Sequence, residues 1–146
     1  MPEHPAALAI LFRDPRGGSW DEARSLVLQD DLTTHPQGAV RVVNASVFLL
    51  KADIGGQQQE LAPGKVWVRK SSGQGGVSNL EVRLAIRKGE DWVRIYDSGL
   101  SQARGERTNV VVYRADGKRP RRPAKALVLK ERAFLPQLPK RDGSGS

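Results

Sequence analysis

Residues 80–88 alternate apolar and polar side chains, and this pattern constrains the fold more than any other feature of the chain. One face carries the apolar residues Leu80, Val82, Leu84 and Ile86, and the other carries Glu81, Arg83 and Arg87. Successive side chains of a β-strand point to opposite faces of a sheet, so the segment predicts a half-buried strand. A helix would need apolar residues about 3.6 positions apart, which this segment does not have.

Short apolar or alternating segments recur along the chain at spacings of roughly ten residues, as in a β-sandwich or barrel. The candidate strand segments are residues 7–12, 25–29, 40–43, 47–54, 57–61, 66–69, 80–88, 92–97, 108–114 and 126–130. Gly55-Gly56 and Pro63-Gly64 have the backbone preferences of tight turns between them. The sequence therefore predicts an all-β fold, a single antiparallel Ig-like β-sandwich of about eight strands.

Length and composition suit one globular domain. The chain has 146 residues, of which 38% are hydrophobic and 27% charged, a balance that favours a folded core over disorder. We place the sandwich domain at residues 1–133 and a flexible, Pro- and Gly-containing tail at residues 134–146. No apolar run approaches the ~18 residues that a membrane span needs.

Reactive groups are scarce in the sequence. The chain has no cysteine and only two histidines, His4 and His35, whereas a metal site needs three or four clustered ligands. Ser98 lacks the flanking glycines of a nucleophile elbow. The glycine-rich residues 73–76 are not followed by the Lys and Ser or Thr of a phosphate-binding loop. We therefore expect no catalytic residues, no metal, no cofactor and no enzymatic activity.

The positive charge lies in the C-terminal third of the chain. The net charge is +8, yet residues 1–103 contain 12 basic and 12 acidic residues, and residues 104–146 contain 12 and 4. Clustered cations bind phosphates with release of counterions. The predicted polyanion-binding residues are Arg114, Lys118, Arg119, Arg121, Arg122 and Lys125. The alternative is a solvated loop and edge strand whose Lys, Arg and Pro residues prevent edge-to-edge aggregation.

A few aromatic residues fall on faces that the strand pattern leaves outside the core. Trp67 alternates with two valines, and Trp92 shares a face with Arg94 and Tyr96. Rings on an exposed sheet face can bind a sugar or stack on a base. The candidate ligand face is Trp67, Arg83, Arg87, Trp92, Arg94 and Tyr96. The alternative is that the rings close one sheet against a loop or against the other sheet.

Four short motifs carry a resemblance to a known group of proteins. They are Val-Arg-Val-Val-Asn-Ala-Ser at 40–46, Leu-Ala-Pro-Gly at 61–64, Trp-Val-Arg-Ile-Tyr-Asp at 92–97 and Gly-Glu-Arg-Thr at 105–108. Their order over residues 8–132 resembles uncharacterised exported bacterial proteins, and its beginning is similar to small Ig-like surface domains. The resemblance implies a β-sandwich and export to the periplasm or cell envelope, with no activity and no functional residues to carry over. The departure from the pattern is that no signal peptide precedes it in this sequence.

These observations lead to three hypotheses about function. The first is a non-enzymatic, exported structural or protein-interaction module that binds a protein partner, or associates with itself, through an edge strand. The second is a polyanion- or nucleic-acid-binding protein that uses the basic C-terminal segment. The third is a carbohydrate-binding module. A cytoplasmic location remains an alternative to export.

Overall fold

The structure is an assembly of β-strands. The computed structural model describes residues 7–13, 23–29, 35–70, 77–115 and 123–132, and these residues contain ten strands and no helix. The strands are β1 (Ala7–Arg13), β2 (Ala23–Gln29), β3 (Val40–Ala45), β4 (Leu50–Ile54), β5 (Gln57–Leu61), β6 (Val66–Arg69), β7 (Val77–Lys88), β8 (Asp91–Ala103), β9 (Glu106–Arg114) and β10 (Ala124–Arg132). The all-β prediction is confirmed.

The strands form two four-stranded sheets and one separate hairpin. The first sheet has the order β10-β9-β3-β6, and the second sheet has the order β5-β4-β7-β8. β1 and β2 pair antiparallel as a two-stranded unit, which we call the outer hairpin. All pairs are antiparallel except β3 and β9, which run parallel at the centre of the first sheet. The prediction of a purely antiparallel sandwich is wrong at this pair.

The main core lies between the two sheets. From β7 it takes Val82, Leu84 and Ile86, each at most 1% exposed, and from the first sheet it takes Val42 and Val110. The alternation that predicts β7 is therefore the alternation that builds the core. Burial of these side chains is the main force that holds the two sheets together.

A smaller apolar cluster lies on the other side of the first sheet. Val43, Ala45 and Val111 face outward from β3 and β9, and the outer hairpin packs on them through Leu28, with Leu8, Ile10 and Leu26 beside it. Every residue of β3 is consequently buried. Both faces of β3 are covered, so even its two polar residues are buried, and both are hydrogen-bonded: Arg41 Nε donates to Asn109 Oδ1 at 2.7 Å, and the Asn44 side-chain amide donates to the carbonyl oxygen of Phe48.

The Ig-like arrangement is not confirmed by the strand order. An immunoglobulin constant domain places strands A, B, E and D in one sheet and C, F and G in the other. Lettered A to H in chain order, β3 to β10 instead give sheets C-B-E-F and H-G-A-D. The coarser prediction of a β-sandwich holds, since two sheets pack face to face.

Asn44 explains why β4 begins at Leu50 and not at residue 47 as predicted. The Asn44 side-chain amide donates to the carbonyl oxygens of Phe48, at 2.8 Å, and Leu61, at 2.9 Å. Its carbonyl oxygen accepts from Ser46 Oγ at 2.6 Å, and its backbone carbonyl accepts from Gly64 N at 2.7 Å. The bend after β3 and the Leu-Ala-Pro-Gly turn after β5 are thus held by the side chain and backbone of one residue.

β8 is longer than its sequence predicts. Residues 99–105, expected as a connection, belong largely to β8, which extends to Ala103 because its second half pairs with Val77–Glu81 of β7. The register shifts between Leu84 and Ala85, which oppose Tyr96 and Arg94. Ile95 is therefore the extra residue of a β-bulge, and the inward and outward positions of β8 exchange there. The glycine-rich residues 73–76 and the predicted tail at residues 134–146 lie outside the described residues.

Candidate ligand-binding face of the second sheet

The side of the second sheet that faces away from the core carries most of the predicted ligand face. Across this outer face, Asp53 on β4 lies beside Arg83 on β7, which lies beside Asp97 on β8. The neighbouring row is Lys51, Ala85 and Arg94, one residue from each strand. Residues in register share a face, so acidic and basic side chains alternate across the three strands in the first row, whereas the second row carries two cations, one on either side of an alanine.

Ion pairs connect the charged side chains of this face. Arg83 Nη2 donates to Glu81 Oε2 at 3.1 Å, and Arg83 Nε lies 3.7 Å from Asp97 Oδ1. The other oxygen of Asp97 accepts from Arg94 Nη1 at 3.1 Å. These side chains are 46–75% exposed, and ion pairs at such exposure add about 0–1 kcal/mol to stability. Their effect is to hold the polar groups in fixed directions.

Asp53 is held by the turn that follows β4. One of its carboxylate oxygens accepts from Gly56 N at 3.1 Å and the other from Gln58 Nε2 at 3.3 Å. Gly55 and Gly56 have φ of 57° and 86°, which glycine adopts without the strain that a side chain would add. The Gly-Gly turn therefore fixes a carboxylate at the edge of the face.

Trp92 supplies the aromatic group of this face. The indole is 39% exposed, and Lys51 Nζ lies 5.5 Å from its ring centroid, within the range of a cation–π interaction. Ala85 lies on β7, between the strands that carry Lys51 and Trp92, and its side chain is a single methyl group. The small side chain leaves room above the sheet for the lysine to reach the ring.

Two shallow depressions lie side by side on this face and share Asp53 and Arg83. The larger has a volume of about 300 Å³ and is lined by Lys51, Asp53, Gln58, Arg83, Leu84, Ala85, Trp92 and Arg94. The smaller, about 290 Å³, is lined by Asp53, Gly55, Gly56, Asn79, Glu81 and Arg83. Together they place one aromatic ring among cationic side chains that donate hydrogen bonds and carboxylates that accept them.

The charges on the outer face balance. Its cations are Lys51, Arg83, Arg87 and Arg94, and its carboxylates are Asp53, Glu60, Glu81 and Asp97. A surface of this kind has no net attraction for a polyanion. It matches a ligand whose own groups both donate and accept hydrogen bonds.

Two residues of the predicted ligand face lie elsewhere. Trp67 belongs to β6 of the first sheet, opposite Val42, and packs against the core. Tyr96 also packs against the core, because the bulge at Ile95 turns it inward. Arg83, Arg87, Trp92 and Arg94 are brought together as predicted. The expectation that Trp92 and Tyr96 share a face is wrong, because the bulge at Ile95 places them on opposite faces of the sheet.

Only part of the predicted polyanion site can be placed. Arg114, at the end of β9, and Lys125, on β10, are exposed and lie on neighbouring strands, with Arg114 opposite Ala124 and Lys125 opposite Tyr113. Lys118, Arg119, Arg121 and Arg122 lie outside the described residues.

His35 lines neither of the depressions on the outer face. His35 is buried, with Nε2 3.1 Å from the carbonyl oxygen of Ala39, and His4 lies outside the described residues. Within the described ranges, no three His, Cys, Asp or Glu side chains cluster as a metal site would require. The same ranges include no helix with the length and hydropathy of a membrane span.

Sequence reasoning missed Lys51, Asp53 and Ala85. The alternation of residues 50–54 already places Lys51 and Asp53 on the polar face of a strand. Nothing in the sequence shows that this strand pairs with β7, because the register between distant strands depends on tertiary packing.

No protein family, no curated protein and no solved structure matches this chain.

Proposed function

We propose that the protein is a binding module without enzymatic activity, and that it binds a neutral saccharide on the outer face of the second sheet. The observation that carries the proposal is the depression of about 300 Å³ in which one exposed indole lies among three cationic side chains and the carboxylate of Asp53. Two of these cations, Arg83 and Arg94, are already paired with the neighbouring carboxylates of Glu81 and Asp97. Residues of β4, β5, β7 and β8 line this depression, and the Gly-Gly turn after β4 lines the smaller depression beside it.

The chemistry of the face fits a sugar. A hydroxyl group donates one hydrogen bond and accepts others, so adjacent hydroxyls of a sugar ring can bind an acceptor and a donor that lie side by side. Asp53 and Arg83 lie side by side in one row of the sheet. The negative face of the Trp92 ring, over which Lys51 Nζ lies, can bind the C–H groups on one side of a sugar once the flexible lysine side chain moves aside.

The charge of the face favours a neutral ligand. Arg83 and Arg94 already have carboxylate partners within the sheet. A phosphate or sulfate would have to compete with these partners, whereas a hydroxyl can be added to them. We therefore expect binding that changes little with salt, since no counterions are released.

The engaged state of the carboxylates supports binding over proton transfer. Asp53 accepts two hydrogen bonds, and Asp97 contacts two guanidinium groups. Groups held in this way serve as fixed acceptors for a ligand.

Export belongs to the same proposal and is supported by the sequence resemblance. Fractionation of the native cells tests it, because a purely cytoplasmic protein would contradict it.

The binding test uses an array of neutral oligosaccharides with heparin beside them, followed by calorimetry with each oligosaccharide that binds. We expect Trp92→Ala to weaken binding by about tenfold or more, by analogy with the loss of a stacking ring. Ala85→Leu fills the floor of the depression and should do the same. Ala9→Leu is the matched control, because it makes the same change at an exposed position of the outer hairpin.

Two outcomes would overturn this proposal. One is an array on which no neutral saccharide binds. The other is saccharide binding that Ala85→Leu and Ala9→Leu affect equally, which would move the site away from this face. Circular dichroism of each variant shows that the fold is intact.

A second candidate function is supported by the exposed positions of Arg114 and Lys125 on adjacent strands. If this end of the first sheet binds a polyanion, heparin affinity should fall steeply between about 50 mM and about 500 mM salt. The triple variant Arg119→Glu, Arg121→Glu and Arg122→Glu should abolish it. Heparin binding that is absent at low salt rejects this candidate and leaves the saccharide site untouched.

A further inference from the structure

β10 forms one edge of the first sheet. In the part of the chain that the structure describes, β10 pairs with β9 and with no other strand. Alternate residues of an edge strand direct their N–H and C=O groups away from the sheet, where another strand can pair with them. β10 has nine residues, which is long for an unprotected edge.

The outward side chains of β10 are Lys125, Leu127, Leu129 and Glu131, since Ala124, Ala126 and Val128 face the core. Leu127 is 48% exposed and Leu129 is 43% exposed. Read along the strand, the outer face is therefore a cation, two leucines and an anion. That order is complementary to itself when it is reversed.

We propose that β10 pairs antiparallel with β10 of a second copy of this chain, about a two-fold axis at Val128. In this register Leu127 lies opposite Leu129 of the second copy, and Lys125 lies opposite Glu131 of the second copy. The two-fold axis repeats both pairs, so two apolar pairs are flanked by two ion pairs. The first sheets of the two copies join into one sheet of eight strands.

Other registers fit less well. A shift by one residue would place the core-facing side chains of one copy opposite the outward-facing side chains of the other. The joined sheet could then not keep its apolar residues on the core side. An axis at Leu127 places Leu129 opposite Lys125, and an axis at Leu129 places Leu127 opposite Glu131. Both lose the complementary charges, so the axis at Val128 is selected.

The charged groups at this edge are compatible with the pairing. Glu131 accepts from Arg107 Nη2 at 2.7 Å, and its side chain remains 39% exposed, so it can receive a second cation. Lys130 Nζ donates to the carbonyl oxygen of Ser101 at 2.6 Å, which turns it toward the second sheet and away from the edge. The charge of Lys125 therefore determines whether β10 repels or attracts β10 of a second copy.

A charge exchange tests the proposal. In Lys125→Glu, each ion pair becomes two facing glutamates, and in Glu131→Lys it becomes two facing lysines, so each variant alone should be shifted toward monomer. Mixed together they restore opposite charges at both positions and should form a heterodimer. We expect sedimentation of the wild type to show a dimer in the micromolar range, as suits a small interface. We expect each variant alone to dimerise about tenfold or more weakly.

Cysteine variants test the register, and the chain has no cysteine to interfere. In the proposed register, residues 127 and 129 of different copies are directly opposite, within the Cα separation that a disulfide allows. Residue 127 of one copy lies roughly 8 Å from residue 127 of the other, and the same holds for residue 129, which is beyond that range. A mixture of Leu127→Cys and Leu129→Cys should therefore cross-link under mild oxidation, whereas either variant alone should not.

The matched control is Leu11→Lys, because Leu11 is an exposed leucine, at 70%, that lies on the outer hairpin and not on β10. Leu127→Lys should abolish the dimer and Leu11→Lys should not. A wild-type protein that is monomeric at every concentration overturns the proposal. It would mean that the side chains of β10 prevent this edge from pairing with another chain. A dimer that Leu127→Lys leaves intact, or that Leu127→Cys cross-links by itself, overturns the site or the register. None of these results depends on whether the second sheet binds a saccharide.

Discussion

Asn44 shows how one polar side chain can determine the path of the chain between two sheets. Its amide satisfies the carbonyl groups of Phe48 and Leu61, and its oxygen accepts from the backbone and hydroxyl of Ser46. A buried polar group that loses its partner costs about 1–3 kcal/mol. The Asn-Ala-Ser and Leu-Ala-Pro-Gly motifs are therefore two parts of one structural contact.

We predict that Asn44→Ala lowers the free energy of unfolding by about 2–4 kcal/mol, because it leaves two carbonyl groups and Ser46 without their partner. Denaturant unfolding followed by Trp fluorescence measures this change. Asn44→Asp should be at least as damaging, since it removes both donors and places a negative charge against two carbonyl oxygens.

Gln59→Ala provides the control for Asn44, because Gln59 is an exposed amide on β5 and should change stability by no more than about 0.5 kcal/mol. Similar unfolding midpoints for the two variants would show that the Asn44 contacts do not stabilise the bend.

At the scale of the strands, the local sequence pattern predicts that a strand exists better than it predicts which other strands pair with it. β7 follows from its alternation, and β4 and β9 follow from their apolar residues. The second half of β8 could not be predicted, because Ser98, Gly99 and Ser101 have weak strand preferences and are held by pairing with β7.

The candidate site was predictable to the same extent. Arg83, Arg87, Trp92 and Arg94 share a face because they lie on one hairpin, where the turn sets the register. Tyr96 was misplaced because a single extra residue, Ile95, exchanges the two faces of β8. Trp67 was misplaced because periodicity shows that two faces differ but not which sheet a strand joins.

Among its described side chains, the outer hairpin packs on the sandwich through one face. It packs on Val43, Ala45 and Val111, and its opposite face exposes Leu11 and Val27. By contrast, β3 is buried along its whole length. Elements with few buried contacts open at lower free energy than the core.

We therefore predict that the backbone amides of β1 and β2 exchange with deuterium faster than those of β3, β4 and β7. Leu28→Ala should speed exchange in the hairpin and leave β4 and β7 unchanged, because Leu28 is the hairpin's most buried contact with the first sheet. Mass spectrometry of peptides from each strand measures this. Val27→Ala, one position away on the exposed face, should have no effect. Uniform protection of hairpin and sandwich would contradict the prediction.

At the scale of the whole molecule, the proposed dimer and the proposed saccharide face have a geometric relation. The axis that pairs two antiparallel strands within a sheet is perpendicular to that sheet, so each second sheet stays on the same side of the joined first sheets. The outer faces of both second sheets then point in the same general direction. A dimer built through β10 would present two ligand sites to one surface.

We predict from this relation that the dimer binds an immobilised polysaccharide with an apparent affinity about 10²-fold or more above that of the Lys125→Glu variant, measured at a concentration where this variant is monomeric. For a short soluble oligosaccharide, the two proteins should have equal affinity per chain, because Lys125 lies on the other sheet from the ligand face. Surface plasmon resonance on the polymer and calorimetry with the oligosaccharide provide the two measurements. Equal binding of dimer and monomer to the polymer would show that the two faces do not engage one surface together. A difference that appears also with the oligosaccharide would place Lys125 at the ligand site.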